Sequence, residues 1–154
     1  MPSTVQSITV NQSIDRVWNT INNFHDMSWC PNVITSCVPG GDASGDEVGA
    51  KRVLNDAFHE TLIEANADDH VIRYSIDNGP SPVSPEDVSN FVGVIKLSAA
   101  DDGATLVEWS SSWESDGEDA VEFCQGIYVA LLGDLANTLN YLTSAPMGQI
   151  SLIA

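Results

Sequence analysis

Residues 116–143 read DGEDAVEFCQGIYVALLGDLANTLNYLT, and this stretch decides the fold. Apolar side chains recur at Val121, Cys124, Tyr128, Leu131, Leu135, Leu139 and Leu142, in steps of three and four that place them on one helical face. Phe123, Ile127, Ala130 and Leu132 widen that stripe, so the helix is expected to be buried more deeply than a surface helix. Ser115 and Glu118 have capping-box spacing, and Glu118, Asp119 and Glu122 suit the positive end of the helix dipole. Almost everything before this helix reads as strand. One long helix and a long antiparallel sheet imply a curved sheet wrapped around the helix, an α+β arrangement, with a cavity where the two do not quite meet.

Immediately upstream, residues 88–99 and 104–113 form two strand-like runs separated by Asp101-Asp102-Gly103, a strong hairpin signal. Further back, 33–38, 48–54, 58–67 and 71–76 read as strands joined by polar breaks, completing a meander of about six. Residues 39–46 are expected to be a turn, and the proline-rich 78–86 a loop. At the start, 5–11 alternates as a first strand. Ser13 can then cap a short helix through Ile21 with Ile14, Val17, Trp18 and Ile21 inward. A second helical turn is expected over 24–29, stopped by Pro31. The reading is one domain, 1–144, with a tail at 145–154 that is either loosely ordered or a contact to a second subunit.

Side-chain alternation assigns the faces. Phe91, Gly93, Ile95 and Leu97 point inward, as do Val107, Trp109, Ser111 and Trp113, and Ile72, Tyr74 and Ile76. Over 58–67 the pattern is ambiguous, with Glu60, Leu62 and Glu64 on one face and His59, Thr61 and Ile63 on the other.

Several motifs, in order along the chain, carry a resemblance. They are Val17-Trp18, Trp29-Cys30-Pro31, Gly45-Asp46-Glu47-Val48-Gly49-Ala50-Lys51-Arg52 and Glu60-Thr61-Leu62, followed by Tyr74-Ser75-Ile76, Ser81-Pro82-Val83 and Thr105-Leu106-Val107-Glu108-Trp109. With them the chain, from about Ile8 to Leu142, resembles the polyketide cyclase/dehydrase and lipid-transport family of the START-like, helix-grip (SRPBCC) superfamily. The resemblance implies a helix-grip fold with two short helices after the first strand, and a hydrophobic ligand or a polyketide as guest. Relatives commonly carry an arginine and a glutamate at the places of Arg52 and Glu60. Cys30 stands where many relatives carry a histidine, and Pro85-Glu86-Asp87 lengthens the usual proline loop.

Composition narrows the function classes. Acidic side chains number 22 against 5 basic ones, a formal net charge of −17. No basic patch can reverse that field locally, so neither nucleic acid nor an anionic membrane is an expected partner. The charge serves either as a solvating surface or to steer a cationic ligand. No apolar run reaches the roughly 20 residues of a membrane span, and Met1-Pro2-Ser3-Thr4-Val5 lacks a signal peptide's basic start, so a cytoplasmic location is expected. Cys30, Cys37 and Cys124 read as reduced, buried thiols. His25 with Cys30 and Cys37 fits no standard zinc spacing, and Asp42, Ser44 and Asp46 make an incomplete calcium loop, so no metal and no cofactor is expected.

The candidate ligand-binding residues are Trp29, Arg52, Glu60, Tyr74, Phe91, Trp109, Trp113, Cys124 and Tyr128. Arg52 and Glu60 lie on adjacent strands joined by a tight turn. They are either an ion pair that fixes register or a polar anchor, in which Arg52 binds a ligand carbonyl or carboxylate and Glu60 orients it. The inward aromatics are either core or cavity wall. Tyr74 and Tyr128 can offer hydroxyls, and His25 is a candidate base near the cavity mouth. Three functions follow: a binder of a small apolar ligand, acting as monomer or homodimer; a cyclase/dehydrase-type enzyme in the same cavity; or an interaction module docking through its apolar tail. No catalytic residue is assigned.

Overall fold

The computed structural model describes residues 3–114 and 118–144. In chain order they form β1 (Ser3–Val10), α1 (Ile14–Ile21), β2 (Cys37–Gly40), β3 (Lys51–Leu54), β4 (Phe58–Asn66), β5 (Val71–Asn78), β6 (Ser89–Ala99), β7 (Thr105–Glu114) and α2 (Glu118–Ser144). The seven strands make one antiparallel sheet in the order β1-β7-β6-β5-β4-β3-β2. Strands β2 to β7 are the expected meander, and β1 joins it beside β7. The sheet curves around α2, which packs against β1 and β7.

Alternation produces the inner surface. Along β7, Thr105, Val107, Trp109, Ser111 and Trp113 are all buried, and β6 contributes Phe91, Ile95 and Leu97. The β6–β7 turn uses Asp102 and Gly103 at φ 59° and 78°, the left-handed conformation that Asp-Gly tolerates. Facing the sheet, α2 buries Ala120, Cys124, Tyr128, Leu131, Leu132, Leu135, Ala136 and Leu139. Each buried leucine contributes about 1.5–3 kcal/mol by leaving water. Phe123 and Ile127 are half-buried, whereas Ala130 is exposed, so the stripe is narrower on that side than its sequence implies. The Ser115–Glu118 capping pair and the tail 145–154 lie outside the described residues or side chains.

The sequence expectations fail over 24–38. Between β1 and β2 only α1 forms as a helix, with Ser13 Oγ accepting from the Arg16 amide at 3.2 Å. Residues 24–29 are turns because neighbouring side chains capture the backbone. Asn23 Oδ1 takes the His25 amide and Asp26 Oδ1 takes the Ser28 amide, both at 2.9 Å. The strand expected at 33–38 sits at Cys37–Gly40 instead. Asn55 bends 33–36 away from the sheet, its Oδ1 accepting from the Thr35 and Ser36 amides and its Nδ2 donating to the Val33 carbonyl. Pro39 is tolerated in β2 because β2 is an edge strand.

Gly93 and Tyr74 are cross-strand partners, and a Cβ on Gly93 would overlap the Tyr74 ring and hydroxyl. The glycine makes the space in which Tyr74 lies flat against β6. Gly93→Ala is expected to destabilise the fold by about 1–3 kcal/mol through overpacking, measured by urea unfolding. An unchanged midpoint would mean that Tyr74 is not pinned there.

Candidate functional site

A hollow of about 40 Å³ lies between the sheet and the N-terminal half of α2. Arg52 and Leu54 of β3, Phe58 and Glu60 of β4, Tyr74 and Ile76 of β5 and Trp109 of β7 form the sheet side. Phe123, Cys124, Ile127, Tyr128 and Leu131 form the helix side, and Met27, Ile34 and Val83 close it from the loops. At about 10–15 Å³ per water, the hollow has room for about three or four waters, so a ring-sized guest requires its walls to part. One end is ready for that. Ile34, Phe58, Ile76, Phe123 and Ile127 are only half-buried, and Phe58 and Phe123 stack at 6.4 Å as a bridge from β4 to α2.

Arg52 and Glu60 are buried and directly opposite in the β3–β4 register. Arg52 Nε and Nη2 lie 2.8 and 2.7 Å from the same Glu60 oxygen, Oε1. Nη1 donates to the Phe24 carbonyl at 3.2 Å and meets the Met27 sulfur at 3.3 Å. The Phe24 ring covers the guanidinium 3.8 Å from Cζ, a cation–π contact in a desolvated place. Burial holds the Glu60 carboxyl above its ordinary value, outweighing the pull of Arg52. The ambiguity over β4 is thereby resolved: Glu60 and Leu62 face in, and His59 and Ile63 face out.

Beside the ion pair, with Arg52 Cζ 5.6 Å from the centre of the Tyr74 ring, is a cluster of hydroxyls. Trp109 Nε1 donates to the Tyr74 hydroxyl at 2.8 Å, and the Tyr128 ring stacks on Trp109 at 5.2 Å and 19°. The Tyr128 hydroxyl lies against those of Tyr74 and Ser111. Ser111 Oγ is close enough to influence Tyr128 and Cys124 but makes no hydrogen bond of good geometry. Burial raises both tyrosine hydroxyls well above their ordinary values, so they stay protonated.

Of the nine sequence candidates, the structure brings Arg52, Glu60, Tyr74, Trp109, Cys124 and Tyr128 together on the hollow. Trp29, Phe91 and Trp113 lie outside the lining. Trp29 packs on Trp109 at 6.2 Å and Phe91 stacks on Trp113 at 5.3 Å. His25 is also outside it, its Nε2 2.9 Å from the Lys51 carbonyl. Ile76, Phe123, Ile127 and Leu131 were visible as inward apolar positions without being singled out. Met27, Ile34 and Val83 come from loops and leave no periodic signal. Among the described residues no three His, Cys, Asp or Glu side chains are grouped to hold a metal ion, and no helix is long and apolar enough to cross a membrane.

Comparison with known proteins agrees with this architecture. The family model described as polyketide cyclase/dehydrase and lipid transport matches residues 1–140. A solved structure of a Nitrosospira multiformis protein is 44% identical, with a TM-score of 0.89 over 92% of this chain and 99% of that one. XoxI from Bacillus cereus is 27% identical, with a TM-score of 0.75 over 93% and 99%. Major latex-like protein 151 of Panax ginseng, at 12% identity, shares the fold with a TM-score of 0.71 over 90% and 97%. A comparison with curated proteins finds no match.

The buried thiols set an alkaline limit. Burial pushes Cys30 up to about 12 and Cys124 to about 11, from an ordinary 9.0. The folded state therefore keeps protons that the unfolded chain releases. The stability that these two thiols contribute is present below about pH 9 and is lost as pH rises towards 12. Urea midpoints are expected to fall across this window, less steeply in Cys30→Ala. A flat profile would contradict the burial of these thiols.

Proposed function

Because the chain belongs to the polyketide cyclase/dehydrase and lipid-transport family, we propose that it binds a small apolar molecule, ring-containing or lipid-like, between the sheet and α2. The observation that carries this reading is the hollow itself. Its walls are aliphatic and aromatic, its polar groups are few and convergent, and its rim is half-buried. Arg52, Glu60, Tyr74, Trp109, Cys124 and Tyr128 would touch the guest, with Trp29, Phe91 and Trp113 supporting them from behind.

A second reading, a cyclase/dehydrase-type reaction in the same space, is favoured by one observation. A buried carboxyl of raised pKa and two protonated tyrosine hydroxyls share the wall. There they could polarise a carbonyl while the walls fold a reactive chain, so that proximity carries most of the acceleration. Turnover of a poly-β-ketone analogue that is lost in Tyr128→Phe would support it; binding without turnover would leave the first reading alone.

Native mass spectrometry of the protein from its own host is expected to show a co-purified small molecule. Leu131→Trp, which fills the hollow at a cost of about 1–3 kcal/mol, is expected to lose it while remaining folded. A guest retained by Leu131→Trp would place binding elsewhere and overturn the proposal.

A further inference from the structure

The hollow touches one cation, and that cation is already committed. Three Arg52 nitrogens are engaged by Glu60, the Phe24 carbonyl and the Met27 sulfur, and Phe24 covers one face. An incoming carboxylate could take the guanidinium only by displacing Glu60, leaving a buried carboxylate without its partner. No other basic group compensates: Arg16, Lys51, Arg73 and Lys96 complete the five in the chain, and none lines the hollow, nor does any histidine. The surface adds to the barrier, since a net charge of −17 lowers the local concentration of anions.

The groups with hydrogen-bonding capacity to offer are neutral. Tyr74 and Tyr128 present hydroxyls that both donate and accept, and Tyr74 is oriented by the Trp109 indole. Behind Tyr128, Ser111 is 3% exposed, its Oγ close to the Tyr128 hydroxyl and the Cys124 thiol without a hydrogen bond of good geometry. These hydroxyls suit one uncharged oxygen, because the one cation near them, Arg52 with its Cζ 5.6 Å from the centre of the Tyr74 ring, is already neutralised by Glu60.

Resting on the reading that the hollow takes a ligand, we propose that it selects neutral oxygen-bearing ring compounds, phenols and ketones, over the matching carboxylates. The Tyr74–Tyr128 pair is the handle, and Glu60 is the specificity-determining residue that keeps Arg52 closed to anions. This recasts the arginine. Its role is to be occupied.

The test titrates the full-length protein with 4-methylphenol and with 4-methylbenzoate at neutral pH, following the Trp109 indole N–H by NMR. The phenol is expected to bind at least about tenfold more tightly, the penalty on the acid being its unpaired charge. Glu60→Gln, which frees the guanidinium, is expected to raise 4-methylbenzoate affinity about tenfold and to change 4-methylphenol little. Tyr128→Phe is expected to weaken the phenol several-fold. Equal or tighter binding of the acid by the unaltered protein would overturn the selectivity while leaving the cavity reading standing. Binding of neither probe would overturn this inference, the cavity reading being decided separately by the co-purified guest and Leu131→Trp. Should Glu60→Gln fail to fold, the comparison on the unaltered protein and the Tyr128→Phe result decide.

Discussion

A guanidinium and a carboxylate buried side by side constrain this molecule more than any other contact. Arg52 and Glu60 stand directly opposite in the β3–β4 pairing, so the ion pair exists in one register only. A slip of one residue would turn one partner to the outer face and leave the other charge buried alone, at about 3–5 kcal/mol. The same guanidinium reaches the Phe24 carbonyl and the Met27 sulfur, tying an irregular loop to the sheet. That loop supplies Met27 and Ile34 to the hollow. Register, loop position and cavity wall thus rest on one charge pair.

A second line of contacts runs across the sheet to the helix. Gly93 leaves room for Tyr74, Tyr74 receives the Trp109 indole, and Trp109 stacks on Tyr128 of α2. These are large, well-oriented side chains, and they hold the closed end of the hollow rigid. The open end is bounded by half-buried aliphatic groups and the Phe58–Phe123 stack. Stiffness on one side and looser packing on the other is what a site needs if it is to hold a guest in one orientation yet admit it.

Much of this was legible in the chain because the relevant signals are periodic. Alternation over β6 and β7, the Asp-Gly turn and the three-four stripe of α2 specify the sheet, its faces and the helix that it grips. The Arg52–Glu60 pairing followed from a tight turn and a family likeness. The stretch 24–38 was not legible, because single side chains decide it. Asn23, Asp26 and Asn55 capture backbone groups that a helix or strand would otherwise use. The face of β4 was ambiguous because both sets of residues alternate, and a register shift between Leu62 and Glu64 interrupts the pattern. Loop residues such as Val83 reach the hollow through tertiary placement alone.

The central claim is that an apolar hollow between β-sheet and α2 accepts a guest. Xenon is the most direct probe, since it enters dry apolar cavities and needs no assumption about the natural ligand. Crystals under xenon pressure are expected to show one atom bounded by Leu54, Ile76, Ile127 and Leu131. An empty hollow there, with xenon absent or only at the outer surface, would contradict the account.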